Sequence, residues 1–341
     1  MNSAELNQRD SQRSATTRRR HGGHAIFQLL WRRSLAGVIT VVAVAIIVFL
    51  ATEVLPGNAA YSILGHSASR ARVLALERHL HLNRGLMDQF WIWASNLLRG
   101  RPGASLANGY PIWGQIWPRL LNSAFLVFVS GAIGTVLGVT VGAISALRKD
   151  SVFDNATSVL TLGVSALPEF VIAIALITVF STLVFRLLPP VAIIAPGAYA
   201  WNEPRLMILP VTTLVLVIVP YVQRMVRAAM IEALESDYVE MAHLKGMSSW
   251  RVAVVHALPN AFAPVIQVIG LVFLYLAGGI VIVEDVFDFP GIGQGMVNAV
   301  SNRDIPMIQM IVIIIAMFYV AVNILTDVLV LLATPRRRIA R

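Results

Sequence analysis

Residues 34–54 read SLAGVITVVAVAIIVFLATEV, 21 residues whose single charge, Glu53, stands at the far end. At about 1.5 Å per residue, a helix of that length covers the roughly 30 Å hydrocarbon core of a bilayer. A cleaved secretory signal is excluded, because the run exceeds a signal's short apolar core and 33 residues of polar chain precede it. The stretch is expected to stay in place as a signal anchor.

The rest of the chain repeats this pattern. Its 341 residues are 57% hydrophobic and only 13% charged, about half the charge a soluble domain spreads over its surface. Such a chain lacks a water-facing shell, so its solvent is partly lipid. Five further apolar spans follow, at residues 120–147, 159–188, 206–225, 264–283 and 307–332. There is no cysteine, which removes disulfides, thiolate metal sites and cysteine nucleophiles. The net charge of +9 collects beside the spans rather than on one soluble face, which argues against a nucleic-acid partner.

Arginine sets the expected orientation. Arg18, Arg19, Arg20, Arg32 and Arg33 flank the first span, and Arg336, Arg337 and Arg338 follow the last. Six spans return both ends to one side, and the positive-inside rule makes it the cytoplasm. Arg148, Lys149, Arg224, Arg227, Lys245 and Arg251 then lie inside too. Residues 55–119 carry seven arginines yet fall outside; long loops translocate largely regardless of charge. The expected organisation is a disordered basic cytoplasmic N-terminus over 1–33, a first helix over 34–54 and an external segment over 55–119. A five-helix domain over 120–333 and a basic cytoplasmic tail over 334–341 complete it.

Within the external segment, Ser69–Leu82 has helical periodicity, and Trp91, Trp93, Trp113 and Trp117 suit a membrane–water interface. It reads either as an interfacial helical hairpin or as a docking site for a soluble partner. Gly134, Gly138 and Gly142 form a small-residue stripe on the second span, of the kind that lets backbones approach. Pro168, Pro210 and Pro220 favour kinks.

One segment is out of character. Glu240–Asn260, EMAHLKGMSSWRVAVVHALPN, is polar and sits between two apolar spans. Ala228–Leu244 has a helix-forming composition. Gly246 permits the positive φ of a sharp helix stop. Ser248 or Ser249 can cap a second short helix through Val255, which Pro259 ends before the span beginning at Pro264. A helix–turn–helix tied at both ends to membrane helices can carry a push from a partner into the bundle. A plain amphipathic surface loop has the same composition.

Here the residues resemble a known family. Glu240-Met241-Ala242, three residues, Gly246, nine residues, then His256-x-Leu258-Pro259 is similar to the signature loop of binding-protein-dependent ABC importer permeases. The spacing matches throughout, with Met241 and His256 departing from the usual alanine and isoleucine. Asp237-Tyr238-Val239, Lys245-Gly246 and Asn260-Ala261 resemble the dipeptide/oligopeptide/nickel branch. So do Glu284-x-x-Phe287-x-x-Pro290-Gly291-x-Gly293 and Leu55-Pro56-Gly57. Gly100-Arg101-Pro102-Gly103 and Asn58-Ala59 depart from that branch.

The resemblance implies an all-α membrane protein with six transmembrane helices in the type I importer permease arrangement and an external segment after the first helix. It implies a multi-pass protein of the bacterial cytoplasmic membrane, with a second homologous permease, two ATP-binding subunits and an extracytoplasmic binding protein as partners. Residues 228–262 would form the ATPase-coupling loop, through Asp237, Tyr238, Glu240, Ala242, Lys245, Gly246, His256, Leu258 and Pro259. Glu169, Glu284, Phe287, Pro290, Gly291 and Gly293 would belong to the pathway or an external loop. No cofactor is expected on this chain, with ATP and Mg held by the ATPase subunits, and the cargo class implied is peptides or similar small solutes.

Other chemistries are weighed against this. A Walker A loop needs lysine between glycine and Ser or Thr, whereas Lys149 precedes Asp150 and Lys245 precedes Gly246. Gly291-x-Gly293-x-Gly295 lacks the strand of a dinucleotide fingerprint. His79 and His81 stand two apart, so a helix would not converge them with His66 on a metal. No pair resembles a nucleophile with its base, and no catalytic or metal site is expected. An ion-coupled secondary transporter is the alternative class. It would need mid-membrane carboxylates, and Glu169, beside Pro168, is the deepest among Glu53, Glu169, Arg186, Glu284 and Asp327.

Overall fold

A computed structural model describes residue 28 and residues 30–52, 69–71, 85–195, 198–252 and 258–333. The described elements are α1 (Leu30–Thr52), α2 (Leu86–Leu98), α3 (Ile112–Leu147), α4 (Val152–Ser165) and α5 (Glu169–Leu183, its last turn π-helical). They continue as α6 (Pro204–Leu234), α7 (Asp237–Leu244), α8 (Ser249–Val252), α9 (Leu258–Val286), α10 (Ile292–Ser301) and α11 (Ile305–Ala333). Helices prevail because a chain in lipid must satisfy its own backbone N–H and C=O groups.

The direction of each helix follows from its packing. Cβ atoms built on Gly134 and Gly138 of α3 would stand 2.3 Å from Ile218 Cδ1 and 2.6 Å from Val222 Cβ of α6, and one on Gly142 would stand 2.7 Å from the Gln223 carbonyl. Ascending numbers meet ascending numbers, so α3 and α6 run parallel. The glycine stripe therefore does what its spacing predicts: it lets two backbones close up where lipid supplies no hydrophobic drive between helices.

Parallel α3 and α6 require the chain between them to recross the bilayer. That crossing is α4 plus α5, two helices bent by 98° at residues 166–168. The expected continuous span over 159–188 is thus broken. Pro168 disfavours helical backbone at Leu167 and becomes the N-cap of α5. α9 runs antiparallel to α3, with Ser123 beside Glu284 and Gly131 beside Phe273. α11 runs antiparallel to α9, with Gly270 beside Thr326 and Gly278 beside Tyr319. α1 runs antiparallel to α11: Arg33 Nε meets Asp327 Oδ2 at 2.7 Å, and Gln309 Nε2 donates to Thr52 Oγ1 at 2.9 Å. Six traverses result, and the first and last begin and end at the same face.

Several boundaries move. The first helix starts at Leu30, inside the expected disordered 1–33. α3 starts at Ile112, eight residues before the expected span at 120, so Trp113 and Trp117 are helical; Trp113 Nε1 donates to the Gly100 carbonyl at 2.8 Å. α6 runs uninterrupted through Pro210 and Pro220 to Leu234, so Arg224 and Arg227 are helix residues, not loop residues. Arg227 forms a bidentate pair with buried Asp154 of α4, both contacts at 2.6 Å. Ala228–Leu244 is not one helix but the end of α6 and α7, divided at Glu235–Ser236. Pro259 does not end a helix; it sits in the first turn of α9, where its missing N–H has no partner to lose.

Phe49 of α1, with Phe90 and Trp93 of α2, forms an aromatic cluster that docks α2 against the first span. The periodic stretch 69–82 is described only at 69–71, where Arg70 and Ala71 are helical. Met1–Ala25, residues 55–59, His66, His79, His81 and the tail 334–341 lie outside the described residues.

Gly138→Val is expected to lower the thermal unfolding midpoint of the detergent-purified protein, by overpacking worth about 1–3 kcal/mol. Gly163→Val, where nothing stands within 4 Å of the added carbon, is expected to leave it near the parent value. Equal midpoints for the two variants would contradict the glycine-mediated approach.

Candidate functional site

The polar segment builds an elbow on the face that carries both ends of the bundle. α6 ends there beside the end of α3, where Lys149 Nζ meets Glu235 Oε1 at 2.7 Å. That hydrogen bond and the charge behind it raise the Lys149 pKa. α7 ends at Leu244, and Gly246 takes φ +80°, with nothing within 4 Å of a Cβ placed there. Conformation, not space, is what the glycine supplies. The short α8 then turns back, and Val239 of α7 and Val252 of α8 bury against Leu234 and Met247 in a small core of their own. Met241, Leu244, Lys245 and Ser248 face outward, Met241 at 60% and Leu244 at 75% exposure. Asp237, Tyr238, Glu240 and Ala242 lie on α7; Leu258 and Pro259 open α9. His256 falls outside the described residues.

At the opposite face the chain folds into a carboxylate cradle. After α9 it turns at Phe287 and Phe289, both fully buried, and re-enters the bundle as far as Val281 before α10 begins. Glu284, with no exposed surface, accepts from the Ser123 hydroxyl at 2.5 Å, the Gly293 N–H at 2.6 Å and the Gln294 N–H at 3.2 Å. It thereby caps α10 from a neighbouring helix, meeting orphan amides at the positive end of the helix dipole. Ser123 also accepts from the Ile292 N–H at 2.7 Å. Asn122 donates to the Pro290 carbonyl at 3.0 Å, and Arg119 Nη1 donates to the Gly291 carbonyl at 3.2 Å and Gln294 Oε1 at 2.9 Å. Space explains both glycines: a Cβ on Gly291 would stand 2.1 Å from Glu284 Oε1, and one on Gly293 2.5 Å from Val281 Cα.

The cradle gathers Glu284, Phe287, Pro290, Gly291 and Gly293; Glu169 is elsewhere. It opens α5 at the break, and the Tyr275 hydroxyl of α9 donates to its Oε1. Arg119, Asn122, Ser123 and Tyr275 are contributors that the sequence reading missed. Each is a polar side chain in or at the rim of an apolar span, and that was the available signal. No group of three or more metal-ligating side chains occurs among the described residues.

Comparison with known proteins agrees with this architecture. Residues 134–339 match the family described as "Binding-protein-dependent transport system inner membrane component", and residues 26–120 match its N-terminal companion. A probable peptide ABC transporter permease protein of Sinorhizobium fredii is 35% identical over 309 residues, covering 90% of this chain and 98% of the relative. A glutathione transport system permease protein of Escherichia coli is 31% identical over 307 residues, covering 90% and 97%. In fold, the chain is similar to the MetNI methionine ABC transporter in inward-facing form, with TM-score 0.53 and 16% identity over 64% of this chain and 96% of that one. The chain belongs to the family of binding-protein-dependent transport system inner membrane components. It is a multi-pass inner-membrane permease subunit of an ABC importer, works with ATPase and binding-protein components, and is not itself an enzyme. None of these relatives supports the ion-coupled secondary transporter.

Removing the cradle carboxylate has a defined local consequence. Glu284→Ala leaves buried donors unsatisfied at about 1–3 kcal/mol each, so hydrogen exchange of the Ile292–Ser301 amides is expected to rise tenfold or more, with a smaller rise in Glu284→Gln. Unchanged exchange in Glu284→Ala would overturn the capping role.

Proposed function

We propose that this chain forms half of a translocation pathway for peptides or similar small solutes, completed by a second, homologous permease. Two ATP-binding subunits, which hold ATP and Mg, drive it from the cytoplasmic side, and an extracytoplasmic protein delivers the cargo. The Sinorhizobium fredii relative is a probable peptide transporter permease, and that relative supports the peptide class. The glutathione relative carries a peptide-like cargo as well.

The observation that supports this reading is the elbow α7–Gly246–α8. It hangs between α6 and α9, holds itself rigid through Val239 and Val252, and turns an apolar pair, Met241 and Leu244, toward solvent. A rigid element joined to two spans passes a displacement into both. The exposed pair, with Asp237, Tyr238, Glu240, Ala242 and Lys245, would seat in a groove of an ATPase subunit; His256, Leu258 and Pro259 would set the second arm against α9. The arginine distribution puts this face, with both chain ends, in the cytoplasm. The opposite face, with the Glu284 cradle and the segment 55–111, would then meet the binding protein.

Gly246→Val forces a β-branched residue into the left-handed region, at about 1–2 kcal/mol. The variant is expected to reach the membrane but to lose most uptake; full uptake in a transport assay would sink the coupling role. With no cysteine in the parent chain, Ser248→Cys gives one exposed cross-linking site. Capture of a P-loop ATPase in native membranes is the expected result, and capture of nothing in a transporting strain would contradict it.

A further inference from the structure

Glu169 lies at mid-membrane depth. Its partner Tyr275 is the middle residue of the span Pro264–Val286, 11 residues from either end, or about 17 Å at 1.5 Å per residue. Carboxylates at that depth are costly and are retained for a partner or a pathway. None of the three ion pairs found among the described residues includes Glu169. The level of Tyr275 falls near Val215 on α6, as Gly131 packs on Phe273 and Leu276 and Gly134 on Val215 and Ile218. Arg224 stands nine residues further along α6, about 14 Å away along the axis.

The surroundings open this carboxylate to something outside the chain. Oε2 lies closed against Gly279, without a hydrogen-bond donor, and a Cβ on Gly279 would stand 2.8 Å from both oxygens. Oε1 shares the Tyr275 hydroxyl, and Tyr275 is 47% exposed. Ala166, Leu167 and Pro168, between α4 and α5, are exposed residues, and their backbone bonds within the chain: the Ala166 and Leu167 N–H groups donate to the Leu162 and Val164 carbonyls, and the Pro168 carbonyl accepts from Val171 and Ile172. Irregular backbone at membrane depth persists only where protein buries it or where it lines a watered cavity. The turn at Phe287–Gly293 is the buried kind; the break at 166–168 keeps its residues exposed beside a half-buried carboxylate. It also presents the C-terminal, negative end of α4 beside a carboxylate, a field that favours a cation.

We propose that Glu169 and Tyr275 form a way-station for the protonated amine of the cargo as it crosses the membrane midplane. This rests on the reading of the cargo as peptide. A peptide carries an ammonium group through the least solvated part of its route, and that charge needs a counter-charge there. The Tyr275 hydroxyl, on a half-exposed side chain, holds the carboxylate and offers its own oxygen to an N–H donor. The cargo's carboxylate finds no matching cation at this depth among the described residues, so its counter-charge would come from the second permease.

The test uses the whole importer, with its binding protein, in membrane vesicles, and compares uptake of trialanine with uptake of N-acetyl-trialanine. The binding protein's own preference is the same for every variant, so it cancels in the ratio between the two probes. A charge-assisted hydrogen bond of ordinary strength makes the expected fall in that ratio about tenfold in Glu169→Gln, with partial recovery in Glu169→Asp. An unchanged ratio, or an equal loss of both probes, overturns the proposal. Loss of the second permease on purification of Glu169→Gln also overturns it, because Glu169 would then pair across the subunit interface. If the parent takes up neither probe while its ATPase activity responds to another solute, the peptide reading itself fails, and this inference with it.

Discussion

The close approach of α3 and α6 along Gly134, Gly138 and Gly142 is the constraint on which the rest of the bundle depends. Two helices packed in parallel at backbone distance cannot be sequential traverses, so the segment between them has to cross the bilayer in the opposite sense. That assigns the bent pair α4–α5 to one crossing, makes six crossings in all, and brings both ends of the bundle to the elbow's face. Asp154 and Arg227 secure the same arrangement: the start of α4 is tied to α6 by a bidentate pair whose acid is buried. An ion pair with one member buried is expensive to break. The exposed Lys149–Glu235 pair nearby contributes little by comparison.

Irregular backbone appears at membrane depth in two places, and the contrast between them is informative. At the turn before α10, each polar group that enters the bundle meets a partner: Glu284 takes the amides of α10, Asn122 and Arg119 take the carbonyls of Pro290 and Gly291. This turn is part of the packed body, and its glycines are there because a carboxylate and a helix backbone fill the space. At 166–168 the backbone finds its partners within its own turns, and the residues themselves stay exposed. The first abuts α9 at Glu284 and the second, through Glu169, abuts it at Gly279, five residues away.

The site was legible in the sequence to the extent that it is local. Gly246 is recognisable because a helix stop of that sharpness needs positive φ, and its φ of +80° fits. The Glu284–Gly293 motif is recognisable by its resemblance to the family's, because the cradle is closed mostly by residues within ten positions of one another. Ser123, Asn122 and Arg119 were missed because they come from a helix more than 160 residues away and carry no spacing signal relative to Glu284. The sequence left Glu169 between the pathway and an external loop, because depth along a neighbouring helix is a tertiary quantity.

The sequence by itself determined that the chain lives in lipid, where the spans fall to within nine residues of their ends, and which segment is the elbow. These are set by hydropathy, arginine placement and turn chemistry, all of which act over a few residues. The tertiary structure decided that the third crossing is broken, that Pro259 opens a helix instead of closing one, and that α3 and α6 are parallel partners. It also decided which carboxylate is sealed and which is not. Those outcomes depend on which side chains fill the space beside a given backbone, and helices far apart in the chain supply them.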